Sequence, residues 1–296
     1  MRRLTAFDYH EPATLDDAIA MLDGAGANAH VLAGGTDLLV DIKIERIPVS
    51  TVINIKGIAG LSGIEATAEG TRIGALTKAT EVQASDLVGR RHPGLAQAAA
   101  ILASPSVRAL ATIGGNVGRA SPASDFGPAL IVHRAQTEIV GADGVRRVPV
   151  EELYLGPGLT SLATSDIITA FLIPDPAPGF GSAHIKVGKR GSGTDIAIAA
   201  VSASVTFDAE GLVGDCRVAL ASLAPRPLRS PAVEAAVRGT TGSEDELSRA
   251  AIAVRNDINP IDDVRATASY RKHIAGVLTL RALRRAVAAA RNEVGG

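Results

Sequence analysis

TIGGNVGRASPASD, residues 112–125, sets a glycine pair among neutral hydroxyls, one amide and one carboxylate. Thr112, Asn116, Ser121 and Ser124 can donate to phosphate oxygens, and Asp125 can accept from sugar hydroxyls, so this set of groups suits a pyrophosphate joined to a ribose. Capping a helix is the other use open to Asp125. A second pair stands earlier in the chain, in AGGTD, residues 33–37, between HVL and LLVDIK. Glycines between a strand and a helix let the backbone approach a ligand and can aim amides at an anion; taken alone, AGGTD serves equally well as a plain tight turn. Neither stretch is the GxGxxG of a dinucleotide-binding βαβ unit or the GxxxxGK of a P-loop, so those two mechanisms are disfavoured. Four charge-assisted hydrogen bonds at roughly 1.5–3 kcal/mol each meet an association cost of about 4–15 kcal/mol. One loop alone therefore breaks even at best, and the two motifs read as halves of one site.

Working outward, TLDDAIAMLDG (14–24) has a capping threonine, early acids and a terminal glycine, which predicts a short helix. AHVLA then reads as a buried strand, GGT as a turn, and DLLVDIKIE as a helix with Asp37 at its positive end. TVINI, GIEATA and TRIGAL read as strands, the last two joined by AEG; TKATEVQASDLV and HPGLAQAAAILAS read as helices, the second stopped by Pro105. SDFGPALIVHRA has Ser124 as a cap, TEIVGADGVRRVPV is a strand, Asp-Gly turn and strand, and DIITAFLI is one more strand. PDPAPGFG (174–181) can continue neither a helix nor a central strand and marks a linker, with a boundary near 178. SAHIKVGKR, IAIAAVSASVTFD and GLVGDCRVALASLA beyond it suit an antiparallel sheet. Three helical stretches close the chain, the middle one opening with a Ser243–Glu246 capping box.

The 296 residues can bury a sizeable ligand, and 30 basic against 31 acidic residues leave no field to recruit nucleic acid or an anionic membrane. Aromatics make up only 3%, which removes the stacking platforms of single-strand binding. The N-terminus reaches acidic residues before any signal-like apolar core, and IAIAAVSASV is far short of the roughly 20 residues of a membrane span, so a cytoplasmic protein is expected. A single cysteine, Cys216, cannot hold an iron–sulfur cluster, and no two histidines have metal-ligand spacing.

AGGTDLL followed by TIGGNVGRASPASD, then HIKVGKR and YRKHIAGVLTLRAL, resembles the FAD-binding medium subunits of molybdenum hydroxylases, the family of carbon monoxide dehydrogenase, xanthine dehydrogenase and 4-hydroxybenzoyl-CoA reductase. The resemblance covers nearly the whole chain. It implies an α+β fold: a two-lobed FAD-binding domain of the vanillyl-alcohol-oxidase or p-cresol-methylhydroxylase type over residues 1–177, split near 55–60, and a smaller C-terminal antiparallel sheet with helices over 178–296. By position, Leu32, Ala33, Gly34, Gly35, Thr36 and Asp37 would hold one side of the FAD pyrophosphate. Thr112, Ile113, Gly114, Gly115 and Asn116 would hold the other. The resemblance further sets Asp125 at the ribose or adenosine end, Ile168 against the flavin and Lys186 near the isoalloxazine ring. An ordinary core residue is the alternative for Ile168, and a solvated strand face the alternative for Lys186, which alternates with Ile185 and Val187. Arg119 departs from the small or neutral residue common in the family; it either adds charge near the phosphates or faces solvent. The lone cysteine excludes the cluster-bearing insertion of 4-hydroxybenzoyl-CoA reductase.

The expected function follows from the resemblance. FAD, held noncovalently, would take electrons from 2Fe-2S clusters on a small partner subunit and pass them to an acceptor such as NAD, a quinone or oxygen. A large subunit would carry the molybdenum cofactor and oxidise the substrate, in a dimer of heterotrimers. Two other readings stay open: a self-contained FAD-dependent reductase or oxidase of the same fold, and a nucleotide-binding interaction subunit without redox function.

Overall fold

β-branched Thr51, Val52 and Ile53 form the central strand of the first sheet. Thr51–Asn54 lies between two parallel partners, Asp8–His10 and Ala29–Leu32, in a computed structural model that describes residues 6–190 and 195–294. The helix Leu15–Ala25 precedes Ala29–Leu32 and packs Ala18, Ile19 and Leu22 on the same core as Ile53 and Ile55. Its cap is the expected one, Thr14 Oγ1 accepting from the Asp17 amide at 3.1 Å. The glycine turn 33–37 leaves the C-terminal end of Ala29–Leu32 and enters the helix Leu38–Lys43.

The second sheet is antiparallel, in the order Ile64–Thr67, Gly70–Gly74, Ile167–Ile173, Gln136–Gly141, Gly144–Pro149. Its middle strand is buried along its whole length, and Phe171 and Ile139 share a core with Leu95, Phe126 and Leu130 of the covering helices Pro93–Ile101 and Phe126–Val132. Two local expectations change here. TKATEVQASDLV is two helices, Ala79–Ala84 and Asp86–Arg91, because Ser85 turns extended and its hydroxyl caps the second by accepting from Val88 N at 3.3 Å. The helix Pro93–Ile101 ends well before Pro105, at an extended Leu102 and an Ala103 with φ 40°, and Pro105 instead opens the turn Pro105–Arg108. The glycine-rich stretch is itself a helix, Ile113–Gly118.

The third sheet is antiparallel too, running Phe180–Gly188, Ala197–Phe207, Val213–Ala221, Leu228–Arg229. Side chains of a strand alternate between faces, and Ala199, Val201, Ala203 and Val205 share a core with Ala275, Leu278, Ala282 and Ala286 of the long helix Ala268–Val294. Ser202 and Ser204 point the other way, the latter donating to the Val132 carbonyl at 3.0 Å. Small side chains bring these layers close together: a Cβ on Gly181 would lie 2.2 Å from the Ala286 carbonyl oxygen. The Ser243–Glu246 capping box is present. The α+β class expected from the sequence holds, and no helix among the described residues is long and apolar enough to cross a membrane.

Buried histidines stitch the second and third sheets together. Gly94 N donates to Ser182 Oγ at 3.0 Å, Ser182 Oγ lies 3.0 Å from His133 Nε2, and His133 Nδ1 donates to the Ala129 carbonyl at 2.7 Å. Ser182 thus donates to a neutral imidazole. His92 meets His133 edge-on at 5.3 Å and bonds Thr71 Oγ1, while His184 Nδ1 bonds Ser202 Oγ at 2.7 Å. Burial holds all three below the usual value of 6.5, His92 and His184 at about 3 and His133 at about 4. Groups depressed on folding contribute stability that is present above pH 6.5 and lost as pH falls towards 4 and then 3, because only the unfolded chain takes up the protons. Three protons give a slope of up to about 4 kcal/mol per pH unit, so urea midpoints should fall steeply between pH 6.5 and 4.5. Asp125, raised to about 6, opposes this with one proton. A flat pH profile over that window would show the histidines to be protonated in the fold.

Candidate cofactor-binding site

The two glycine motifs, far apart in the chain, meet backbone to backbone. A Cβ on Gly34 would stand 2.2 Å from the Leu110 carbonyl oxygen and 3.1 Å from Ala111 Cα, immediately before Thr112. Gly35 sits at φ +73°, a conformation glycine adopts without strain. Among the described residues, the amides of Gly34, Gly35, Thr36 and Asp37 donate to no protein acceptor. Successive free backbone donors of this kind are able to bind an anion. Asp37 stands at the start of the helix Leu38–Lys43 without bonding it through its side chain.

The second motif differs in kind. Ile113 N donates to Thr77 O at 3.0 Å and Gly114 N to Ala75 O at 2.8 Å, which pins the start of the helix Ile113–Gly118 to the chain that leaves the strand Gly70–Gly74. Gly115 N donates to Thr112 Oγ1 and Asn116 N to Thr112 O, so the amides from Ile113 to Asn116 are already engaged. Gly114 is required by closeness, since its Cβ would lie 2.7 Å from Ala75 Cβ. Gly115 is exposed, and a Cβ there would meet only the Thr112 hydroxyl, at 2.9 Å. One motif thus offers amides, and the other offers a closely fitted wall.

From this wall a chain of contacts leads to the remaining candidates. Asn116 Oδ1 accepts from Ser124 Oγ at 2.7 Å and from Phe126 N, and Ser124 Oγ accepts from Gly127 N, which is the expected cap. Asp125 makes no cap; its carboxylate is buried and pairs with Lys186 Nζ at 2.9 Å. Lys186 also donates to the Ile101 carbonyl at 2.7 Å, and its side chain is 1% exposed, so the solvated strand face is ruled out. Burial pushes the Asp125 carboxyl up to about 6 although the neighbouring ammonium draws it down. Asp125 and Lys186, expected at different ends of the cofactor, are in direct contact. Ile168 is a buried residue beside a β-bulge in Ile167–Ile173, its Cδ1 3.5 Å from where a Gly118 Cβ would be.

Arg119 neither faces the glycine loops alone nor solvent alone: Nη2 pairs with Asp41 Oδ2 at 2.8 Å. Sequence spacing gave no sign of that pair, nor of the backbone acceptors Ala75 and Thr77. Among the described residues no group of histidine, cysteine and carboxylate side chains could hold a metal ion, and Cys216 is buried with its thiol pushed well above the usual range by burial.

Comparison with known proteins gives a consistent picture. Residues 5–176 match the family model described as the FAD binding domain in molybdopterin dehydrogenase, and residues 183–286 match the CO dehydrogenase flavoprotein C-terminal domain. The chain is 32% identical over 284 residues to the xanthine dehydrogenase FAD-binding subunit of Escherichia coli O157:H7, covering 95% of this chain and 96% of that one. It is 33% identical over 277 residues to the carbon monoxide dehydrogenase medium chain of Hydrogenophaga pseudoflava, covering 94% and 96%. Among solved structures, a chain of the reconstituted CO dehydrogenase from Oligotropha carboxidovorans superimposes with a TM-score of 0.92 at 29% identity, over 97% of this chain and 99% of that one.

Proposed function

Because this chain belongs to the FAD-binding subunits of molybdopterin dehydrogenases, we propose that it holds FAD noncovalently between its two glycine motifs and relays electrons within a larger complex. The observation that carries this reading is the meeting of Gly34 with Leu110–Ala111, which joins four free amides to a glycine-lined wall. In the proposed arrangement the amides of Gly34, Gly35, Thr36 and Asp37 donate to pyrophosphate oxygens. Thr112 to Asn116 form the opposing surface, where Gly115 leaves room for the ligand. Two expectations, for Ile168 and Lys186, point to the ring end, and Asp125 follows Lys186 there because the two are paired. Bound FAD supplies the redox chemistry; the chain's own residues bind it, orient it and hold a buried charge pair beside it.

The chemistry of the two loops supports this reading. Unpaired amides on a positive-φ glycine turn suit a dianion, and no histidine or cysteine in either motif offers a covalent link. The relatives named above are medium or FAD-binding subunits of carbon monoxide and xanthine dehydrogenases. By extension, this chain takes electrons from iron–sulfur clusters on a small subunit and passes them to an external acceptor, while substrate is oxidised on a molybdenum-bearing large subunit. Residues 1–177 would then form the FAD-binding unit and 178–296 the second unit, in a dimer of heterotrimers.

Native purification tests this directly. The protein should carry flavin that acid precipitation releases, should copurify with molybdenum and iron, and by itself should be reducible by dithionite yet inert towards reduced organic substrates. A colourless chain would overturn the FAD reading; full substrate turnover by the metal-free chain would overturn the relay role.

A further inference from the structure

We propose that Arg119 and Asp41 form a strut that fixes the two glycine motifs relative to each other, making Arg119 a positioning residue for the cofactor. The inference rests on the FAD reading above. The amide-bearing turn 33–37 runs straight into the helix Leu38–Lys43, so the direction of its amides follows the placement of that short helix. The second motif runs into the helix Ile113–Gly118, whose start is pinned by Ala75 and Thr77 and whose end is Arg119. Asp41 lies on the first helix and Arg119 at the end of the second, and Nη2 meets Oδ2 at 2.8 Å. A charge-assisted bond of that length fixes geometry more firmly than a neutral one. The motifs are therefore held together twice, by backbone packing at Gly34 and Leu110 and by this ion pair.

The local arrangement separates positioning from stability. Asp41 is 5% exposed, and its other oxygen, Oδ1, is bonded by Arg46 at 2.7 Å, which is 58% exposed and belongs to the same short stretch of chain. Loss of Arg119 leaves the buried carboxylate with Arg46 as partner, so no charge is stranded. What disappears is the one link from this carboxylate to the second motif. Loss of Arg46 has the reverse effect: the carboxylate loses a counter-ion, while the strut stays.

The test uses the full-length chain stripped of FAD and titrated with FAD by flavin fluorescence, with thermal midpoints of the flavin-free protein measured alongside. Arg119→Gln should raise the FAD Kd by roughly tenfold, the scale on which groups orienting a ligand's immediate partners act, at an unchanged flavin-free midpoint. Arg46→Gln should leave the Kd at the wild-type value, and Arg119→Lys should restore most of the lost affinity. Should Arg119→Gln not fold, Asp41→Asn, which is isosteric, gives the same reading. Wild-type affinity in a folded Arg119→Gln or Asp41→Asn chain, or an equal loss in Arg46→Gln, overturns the strut. No FAD uptake by the wild-type chain overturns the cofactor reading itself, a different failure.

Discussion

Gly34→Val is expected to abolish flavin retention and destabilise the fold, whereas Gly115→Val is expected to abolish retention and leave the fold standing. The difference lies in what each new side chain would meet. At Gly34 every near neighbour is backbone: the Leu110 oxygen at 2.2 Å, the Leu110 carbon at 3.0 Å and Ala111 Cα at 3.1 Å. Backbone cannot rotate aside, so the two motifs must part, at a cost of at least about 1–3 kcal/mol for overpacking. At Gly115 the one neighbour is a hydroxyl that can turn away, which loses the Thr112 cap and about 1 kcal/mol. The valine there fills the open face that FAD is proposed to occupy. Gly35→Val falls between the two, through strain at φ +73°. Flavin-to-protein absorbance ratios together with flavin-free thermal midpoints check this, and full flavin content with a wild-type midpoint in Gly34→Val would refute the two-loop site.

Asp125→Asn should cost more stability than Lys186→Met, by a margin that grows as pH falls. Removing the carboxylate strands an ammonium whose side chain is 1% exposed and which keeps only the Ile101 carbonyl, a loss of about 3–5 kcal/mol. Removing the lysine strands a carboxyl that already sits at about 6 beside its cation, so burial alone carries it higher and it takes up a proton. A carboxyl raised on folding loses stability as pH rises from its unfolded value through its folded one. Lys186→Met should therefore approach wild type near pH 5.5 and weaken towards pH 8. The double substitution to leucine, with no charge left to bury, should recover much of the loss. Urea unfolding at both pH values decides the matter; a Lys186→Met chain less stable than Asp125→Asn at pH 5.5 would contradict the argument. Flavin content should fall less in Lys186→Met than in Gly35→Val or Gly115→Val.

The parts of the site legible in the sequence are those written in local chemistry. AGGTD could be read because two glycines interrupt a strand-to-helix passage, and Thr14 and Ser243 because capping uses neighbours three residues away. The helix Ile113–Gly118 could not, since three glycines in six residues argue against helix; the carbonyls of Ala75 and Thr77, distant in sequence, hold it in place. Lys186 was open to reading as solvated because Ile185 and Val187 alternate with it, a pattern that assumes one wet face. Helices cover both faces of its sheet, and its ammonium turns to Asp125 and Ile101. Asp41–Arg119 leaves no trace in any window of sequence short enough to show periodicity.

The long reach of the Asp125–Lys186 pair also has a meaning in time. A chain made from its N-terminus has its amide-bearing turn complete once residue 37 exists, yet the wall that turn rests on waits for residues 110–115. The buried carboxylate then waits for residue 186 before it meets its cation. On the ribosome the nascent chain passes through a long interval with half a cradle and an unpaired acid, and the proposed site becomes whole only when the third sheet begins to emerge.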